Sequence, residues 1–401
     1  MELPLPAMII GIGGAGARIA GMMRNVSALD TMLISSSASD LAIITTNMDE
    51  SRRVGKDDDY EHGASNLSDG AKESRMEKIL IETGMLNPSP YTIRGSLLAY
   101  EDRVRERLMG YNTFIMVSNL AGRNGVAVAP LLADMIKANI SSSKVKLISF
   151  VIMPFGFEHD KLFRAGIALR KLSERSDCTV VVDNDSFLAN NQDLSIDECY
   201  RITNGMLLEV FNIIMMNSEV DGLNILSGGI DDKVDVAVKN AVRMLYSNTE
   251  PDKVRSALLY IFDESTEGIS IGLIDALAKS MNSVVGKHSK YVMVRVSTKG
   301  GSRMRYMDER DDEHSNIVGT DDSSNSSSTA NGVGTGTGNR TNGNNNDVHT
   351  TILLSEVTDL SKFDTYDPLS MLPRECILDW EYDEFEARLN VDSLVALPNL
   401  E

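Results

Sequence analysis

Four glycines near the start of the chain have the type and spacing to bind an anion. They are Gly11, Gly13, Gly14 and Gly16, and an apolar run at residues 7–12 leads into them. A glycine-rich turn between a strand and a helix directs backbone N–H groups and the positive end of the helix dipole at a phosphate. A purely structural turn uses the same residues, because glycine allows tight backbone geometry. Later segments of the chain agree with phosphate binding, so this glycine-rich stretch favours a phosphate site.

The bulk composition bounds the class of protein and its partners. The 401 residues are 42% hydrophobic, which is enough for one large core or two ordinary domains. A net charge of −19 argues against nucleic acid or an anionic membrane surface as the main partner. No apolar run reaches membrane-spanning length, so no direct membrane insertion is predicted. Cys178, Cys199 and Cys376 fit neither a disulfide framework nor a metal site, which predicts a reducing, cytoplasmic location.

Apolar strands that alternate with helices must position the glycine turn. Because each strand is almost wholly apolar, the pattern predicts an α/β domain with a doubly wound parallel sheet covered on both faces. An amphipathic helix is predicted at Gly95–Leu108 and another at residues 126–138. The predicted strands are Ala7–Ile12, Asp40–Asn47, Tyr111–Leu120, Lys146–Met153 and Cys178–Val182.

The second half of the chain predicts a smaller α+β domain. Residues 1–194 form the first domain, 195–217 a central helix, 218–365 the second domain and 366–401 an acidic tail. In the second domain, helices are predicted at residues 233–246 and 268–285. The strands are Ser256–Phe262, Tyr291–Ser297 and Thr351–Val357, the last two paired with each other. Residues 300–348 are polar and predict a disordered insertion.

Several short motifs together resemble the tubulin/FtsZ superfamily. The turn GIGGAGAR matches the family's first glycine loop, Asn47-Met48-Asp49 its N-T-D loop, and Pro154–Glu158 its P-F-x-F-E motif. Asn184 follows the fifth strand as in the family's P-N-D loop, and Tyr200 falls where members stack an aromatic ring on the base. The resemblance spans roughly residues 7–300 and the strand near 351. It implies GTP or GDP, with Mg²⁺, bound between the sheet and the central helix, and head-to-tail self-assembly.

Two loops depart from the family pattern. The signature GGGTGTG is replaced by Ala121–Ala127, where both threonines are absent and Arg123 has entered. Arg123 either contacts an anion or fills the pocket. The neighbour-activating motif N-x-D-x-x-D is replaced by a loop at Gly222–Ile230, with Ser227 at the first acid position. Asp231 and Asp232 are the candidate catalytic substitutes, unless they only pair with a helix dipole.

The candidate site residues follow from this resemblance. Nucleotide contacts are assigned to Gly11, Gly13, Gly14, Ala15, Gly16, Asn47, Asp49, Gly122, Arg123, Asn124, Gly125, Glu158, Asn184, Tyr200 and Asn204. Gly205 stands where the family reads guanine with an aspartate, which weakens the case for guanine specificity.

Three functions are compatible with these residues. The first is an FtsZ-like filament protein with weak or absent GTP hydrolysis, acting in cell division or cell shape, with further protein partners bound by its acidic tail. The second is a pseudo-GTPase scaffold that has lost the nucleotide. A dinucleotide-dependent dehydrogenase fits the glycine spacing poorly. Leu223, Ile225 and Leu226 predict an apolar assembly interface, unless they fold back onto their own domain.

Overall fold

The computed structural model describes residues 3–27, 29–42, 74–139, 145–190, 195–216, 220–263, 269–281, 291–297 and 349–366. They form two compact units. The N-terminal unit contains residues 3–179 together with 359–366, and the C-terminal unit contains residues 180–358. The predicted insertion at 300–348, the tail beyond Tyr366 and the Asn47-Met48-Asp49 loop lie outside the described residues.

The N-terminal unit is built on a parallel sheet in the order β3-β2-β1-β4-β5. Its apolar strands are buried on both faces, as the doubly wound prediction requires. The strands are β1 Ala7–Ile12, β2 Asp30–Ser35, β3 Met76–Leu80, β4 Thr113–Asn119 and β5 Lys146–Met153. The helices are α1 Gly13–Ser27, α2 Pro90–Leu98, α3 Glu101–Leu108, α4 Arg123–Asn139, α5 His159–Arg175 and the short α10 Ser361–Asp364.

The second strand differs from the prediction. Residues 38–42 are helical, so the predicted strand does not begin at Asp40, and its residues 43–47 lie outside the described residues. The chain instead enters β2 soon after α1 ends, and Met32 lies beside Ile10 in parallel register. Both segments are apolar and rich in β-branched residues, so local composition does not separate them. Pairing with β1 decides which one is the strand.

The prediction lacks the strand β3 of this unit and joins the helices α2 and α3 into one. The edge strand β3 carries Glu77 and Lys78 and is only partly buried, which hides its pattern. The single helix predicted at Gly95–Leu108 is two helices, α2 and α3, separated at residues 99–100. The Ser89 hydroxyl caps α2 by accepting a hydrogen bond from the Thr92 N–H at 3.1 Å.

The C-terminal unit has a mixed sheet in the order β7-β10-β8-β9. β10 is antiparallel to both β7 and β8, whereas β8 and β9 are parallel. The predicted pairing of the strand near 351 with the strand that precedes it in the chain is therefore wrong. The strands are β7 Gly222–Asp231, β8 Val254–Asp263, β9 Tyr291–Ser297 and β10 His349–Val357; β6 Cys178–Asp183 crosses the boundary between the units. The helices are α6 Asn184–Asn190, α7 Ile196–Met216, α8 Val234–Tyr246 and α9 Ile271–Met281.

The central helix agrees with the prediction, but the loop after it does not. Gly222–Ile230 forms most of β7, and the segment from Asn224 to Gly229 is buried. A Cβ on Gly229 would lie 1.9 Å from the Ala237 carbonyl oxygen of α8. Glycine at this position therefore lets α8 pack directly on the strand. In the ranges that the structure describes, no helix combines the length and apolarity needed to cross a bilayer.

Candidate functional site

The glycine turn lies where the strand order of the N-terminal sheet reverses. From β1 the chain moves to β2 on one side, and β4 lies on the other side. Ligands of doubly wound sheets bind in the crevice at this switch point. α1 begins directly at Gly13, whose φ of +69° is the left-handed conformation that favours glycine. A Cβ on Gly13 would lie 3.1 Å from the Asn124 Cβ, so the turn and the start of α4 meet at the crevice.

The other glycines of the turn serve packing. A Cβ on Gly16 would lie 2.4 Å from the Val117 carbonyl oxygen of β4, and one on Gly11 would lie 2.7 Å from the Ala20 Cβ. These two positions therefore let α1 pack closely on the sheet. Gly125 has a similar role, since its Cβ would lie 2.0 Å from the Asn119 carbonyl oxygen. The structural interpretation therefore accounts for Gly11 and Gly16, and phosphate binding at Gly13 and Gly14, which lie beside Asn124 and Asp40, stays a prediction.

A polar network at the crevice joins the loops after β2 and β4. The Asn124 Oδ1 accepts a hydrogen bond from the Ser36 N–H at 2.9 Å, and its Nδ2 donates to the Ser35 Oγ at 3.2 Å. The Ser35 hydroxyl donates in turn to the Asp40 Oδ2 at 2.6 Å. Sequence reasoning missed Ser35, Ser36 and Asp40 because the wrong segment was taken as the second strand. The available signal was the polar run SSSASD directly after DTMLIS.

The Asp40 carboxylate lies against the first turn of α1. A Cβ on Gly14 would lie 2.7 Å from the Asp40 Oδ1. A carboxylate is stabilised beside a helix N-terminus, but it repels a bare phosphate at the same place. A carboxylate next to phosphate oxygens is, however, the usual protein ligand set for Mg²⁺. The crevice therefore fits a phosphate that arrives with a divalent cation.

Arg123 contacts the segment that precedes α2. Its Nη1 donates to the Pro88 carbonyl oxygen at 3.1 Å. The exposed Arg123 side chain lines a cleft of about 440 Å³, together with Gly122, Lys161 and Arg164. The two roles left open by the sequence, contact with an anion and filling of the pocket, both stay predictions.

The loop after β5 is held by its own residues. The Glu158 Oε2 accepts a hydrogen bond from the Phe155 N–H at 3.1 Å, and Glu158 pairs with Lys161. The Phe155 and Phe157 rings stack with centroids 5.1 Å apart, although Phe155 is buried and Phe157 is exposed. Glu158, a predicted nucleotide contact, therefore organises the loop in this structure.

The predicted contacts in the C-terminal unit centre on Asn184. Its side chain is buried, and neither Nδ2 nor Oδ1 has a hydrogen-bond partner among the residues described. Buried amides rarely lack a partner, so this one fits a polar ligand. The Cys199 Sγ donates to the Asn184 carbonyl oxygen at 3.7 Å, and burial, with the nearby Asp183 charge, raises the pKa of the Cys199 thiol to about 12. Tyr200 and Asn204 on α7 are half-buried in the same unit.

The candidate catalytic acids end β7. The Asp231 Oδ1 accepts a hydrogen bond from the Lys233 N–H at 3.0 Å, which places it in the turn before α8. A hydrogen bond with Asp231, followed by burial and charge repulsion, raises the pKa of Asp232 above its usual range. Ile225 and Leu226 are fully buried. The alternative that the side chains pack onto their own domain therefore holds for Ile225 and Leu226, which cannot form the predicted apolar interface, whereas Leu223 is half-buried.

Comparisons with known proteins agree with this architecture. Residues 6–192 match the Tubulin/FtsZ family, GTPase domain. The chain is 25% identical over 137 residues to the cell division protein FtsZ of Neisseria gonorrhoeae, covering 32% of this chain and 34% of that protein. It is 24% identical over 267 residues to the tubulin-like protein CetZ of Thermococcus kodakarensis, covering 66% and 64%. The chain thus spans less than two thirds of the length of these curated relatives.

A solved structure supports the same fold. The empty FtsZ dimer of M. jannaschii superposes with a TM-score of 0.55, covering 88% of this chain and 89% of that chain. At 13% identity this likeness establishes the fold alone. The family match, the crevice at the strand-order reversal and the glycine turn within it agree. Residues 6–192 therefore match the GTPase domain of the tubulin/FtsZ family, and the chain resembles a divergent FtsZ-like protein.

Proposed function

We propose that the chain binds a guanine nucleotide, GTP or GDP, together with Mg²⁺ at the crevice of its N-terminal unit. It then assembles head to tail with copies of itself, in cell division or cell shape. The observation that carries the proposal is the meeting of Gly13, Gly14, Asp40 and Asn124 at the switch point. The relatives named cell division protein FtsZ support the cellular role.

The phosphate contacts come from two helix N-termini. α1 begins at Gly13 and α4 begins at Arg123, so both present unpaired backbone N–H groups at this edge of the sheet. The backbone of Gly13, Gly14 and Ala15 would hold the phosphates. Asp40 would hold Mg²⁺, which neutralises phosphate charge. No group of three metal-binding side chains occurs among the described residues, so phosphate would supply further ligands to the ion.

Hydrolysis is expected to be weak or absent. The family's acids polarise the attacking water, and loss of such a group lowers the rate on the order of 10²–10⁴-fold. In this chain the corresponding segment is the buried strand β7, and Asp231 is engaged in the turn that follows it. Steady-state GTP hydrolysis at the level of an ordinary member would contradict this expectation.

A pseudo-GTPase scaffold is the second candidate function. It is favoured by the same Asp40 carboxylate, since a built-in anion against Gly14 resembles a site whose ligand has been replaced. Under this alternative the family fold would serve only protein contacts. The two functions differ in whether any nucleotide binds.

Magnesium dependence tests the proposal. We expect denatured protein to release guanine nucleotide, and calorimetry on stripped protein to show at least about tenfold tighter GDP binding with Mg²⁺ than with EDTA. Asp40→Asn keeps the acceptor for Ser35 but removes the charge, so its affinity should no longer depend on Mg²⁺. Asp102→Asn, an exposed acid outside the network, is the matched control and should retain the dependence. If neither the wild type nor the variants bind nucleotide, with Mg²⁺ or with EDTA, the pseudo-GTPase scaffold is favoured.

A further inference from the structure

A basic groove runs across the surface of the N-terminal unit. The cleft at Arg123 continues along α2, α4 and α5 into a second, narrower depression, and the two share Pro90, Val126 and Arg164. One acidic side chain, Asp160, lines this basic groove. Its cations are Arg94, Arg123, Lys161, Arg164 and Lys171. Such a concentration of positive charge is unusual in a chain whose net charge is −19, and it predicts an anionic partner.

The floor of the basic groove is apolar. Pro90, Tyr91, Val126 and Pro130 lie between the cationic side chains, and the Tyr91 side chain is 44% exposed. Aromatic rings bury well on such a surface and are attracted to arginine guanidinium groups that lie over their faces. A simple inorganic anion would use only the charges. The surface therefore fits a peptide that is both acidic and aromatic.

The chain itself carries such a peptide. Asp379–Glu386 reads DWEYDEFE, with five acids, three aromatic residues and no base. We propose that this segment binds in the basic groove of the same chain. Its carboxylates pair with the groove's arginines and lysines, and its rings pack on the apolar floor.

The attachment point makes an intramolecular contact feasible. Residues 359–366 belong to the N-terminal unit, where Leu360 and Phe363 are buried. Twelve residues lie between Tyr366 and Asp379, and the extended chain from one to the other reaches about 45 Å. A unit of this size has a radius of gyration of about 16 Å, so the segment can reach a large part of its surface. Tethering also gives it an effective concentration on the order of millimolar, well above that of another copy.

Binding there would cover the loop after β4. Gly122 and Arg123 line the groove and also begin α4, which the proposed nucleotide site uses. The bound acidic segment would therefore compete with an anionic ligand for this loop. Only this consequence rests on the proposed function; the docking itself does not.

The sole tryptophan, Trp380, reports the contact directly. In the nucleotide-free full chain we expect blue-shifted Trp380 emission and protection from acrylamide. Raising salt from about 0.1 M to about 1 M shortens the Debye length from about 10 Å to about 3 Å, and should expose the ring. Charge reversal in the groove, Arg123→Glu with Arg164→Glu, should cause the same loss of protection. Reversing two charges of the peptide, Asp383→Lys with Glu384→Lys, should also expose Trp380. Combining all four changes should restore its protection.

Matched controls separate this contact from other causes. Arg243→Glu with Arg255→Glu reverses two exposed arginines of the C-terminal unit and should leave Trp380 protected. Circular dichroism melts verify that each variant is folded. A solvent-exposed Trp380 in the wild type would overturn the proposal. So would groove and peptide variants in which Trp380 is protected as well as it is in the wild type. Protection that falls on dilution would indicate binding between copies and would overturn the intramolecular assignment.

Discussion

Single side chains decide what each unit can bind. Asp40 places a negative charge at the helix N-terminus where a phosphate would lie, and Asn184 is a buried amide without a partner in the described part of its unit. The helix N-terminus stabilises the Asp40 carboxylate, whereas the unpartnered Asn184 amide is costly for the ligand-free protein. An unsatisfied buried polar group costs about 1–3 kcal/mol. Costs of this kind are typical of binding sites, where a ligand completes the missing interactions.

Replacing Asn184 with leucine should separate stability from binding. Leucine is similar in size and has no polar atoms, so Asn184→Leu should stabilise the ligand-free protein by about 1–2 kcal/mol in denaturant unfolding. The family resemblance makes Asn184 a predicted nucleotide contact, so the same change should weaken guanine nucleotide binding by about tenfold or more in calorimetry.

A control for Asn184→Leu should remove another buried polar group that lacks a described partner. Ser355→Ala removes another buried side chain whose oxygen has no partner among the residues described, and it should leave nucleotide affinity unchanged. A destabilised Asn184→Leu protein with normal affinity would show that the amide is structural.

At the scale of elements, β7 shows how packing reassigns a segment. Its residues were expected in a loop because the related proteins carry a catalytic loop after the central helix. In this structure the segment pairs along its length with β10, and glycines at 228 and 229 let Met206 and α8 approach it closely. Side chains from Ile225 to Ser227 are consequently buried.

Substitutions in β7 should therefore behave as core changes. Ile225→Asp would bury an unpaired charge and should cost several kcal/mol or abolish folding, as measured by thermal or denaturant unfolding. Ser227→Ala removes a buried hydroxyl without a described partner and should be neutral or stabilising by up to about 1 kcal/mol. Ile271→Asp, at a position that is 84% exposed, is the matched control and should change little. A well-folded Ile225→Asp protein would refute the strand assignment.

At the scale of the whole molecule, charge and exposed apolar surface govern assembly. A net charge of −19 makes copies repel each other at low ionic strength. Head-to-tail association joins two different surfaces, so it extends into filaments when the rotation does not close. With Ile225 buried, the proposed assembly requires another apolar surface. Met85 and Leu86, which are 62% and 107% exposed, follow β3 at the same sheet edge as the glycine turn.

Self-association should respond to salt and to this Met85–Leu86 surface. In sedimentation velocity with GTP and Mg²⁺, we expect association to increase as salt rises from about 0.01 M to about 0.15 M, because screening shortens the Debye length from about 30 Å to about 8 Å. Leu86→Asp should weaken association by about tenfold or more, as loss of an apolar anchor at an interface does. Met109→Asp, 72% exposed before β4 at the opposite edge, should have little effect. A protein that remains monomeric at every concentration and salt would refute the assembly proposal.

Much of the fold was predictable because its signals are local. The apolar runs of β1, β4 and β5, the glycine turn and the period of the central helix α7 each lie within one element, and they were located to within a few residues. The parallel character of the N-terminal sheet followed from strands apolar on both faces. Of the site, Gly13, Gly14 and Asn124 were found from sequence, whereas Ser35 and Asp40 were not.

What the sequence alone determined is the type of most elements and the family resemblance, since both reside in short stretches. The tertiary structure decided which of two apolar segments is the second strand, where β10 inserts, and that Gly222–Ile230 is a buried strand. It also decided that Asp40 meets Gly14 and that Asn184 lies buried without a described partner. These outcomes depend on contacts between residues distant in the chain. Pairing and burial select among locally equivalent conformations, and no local pattern encodes that choice.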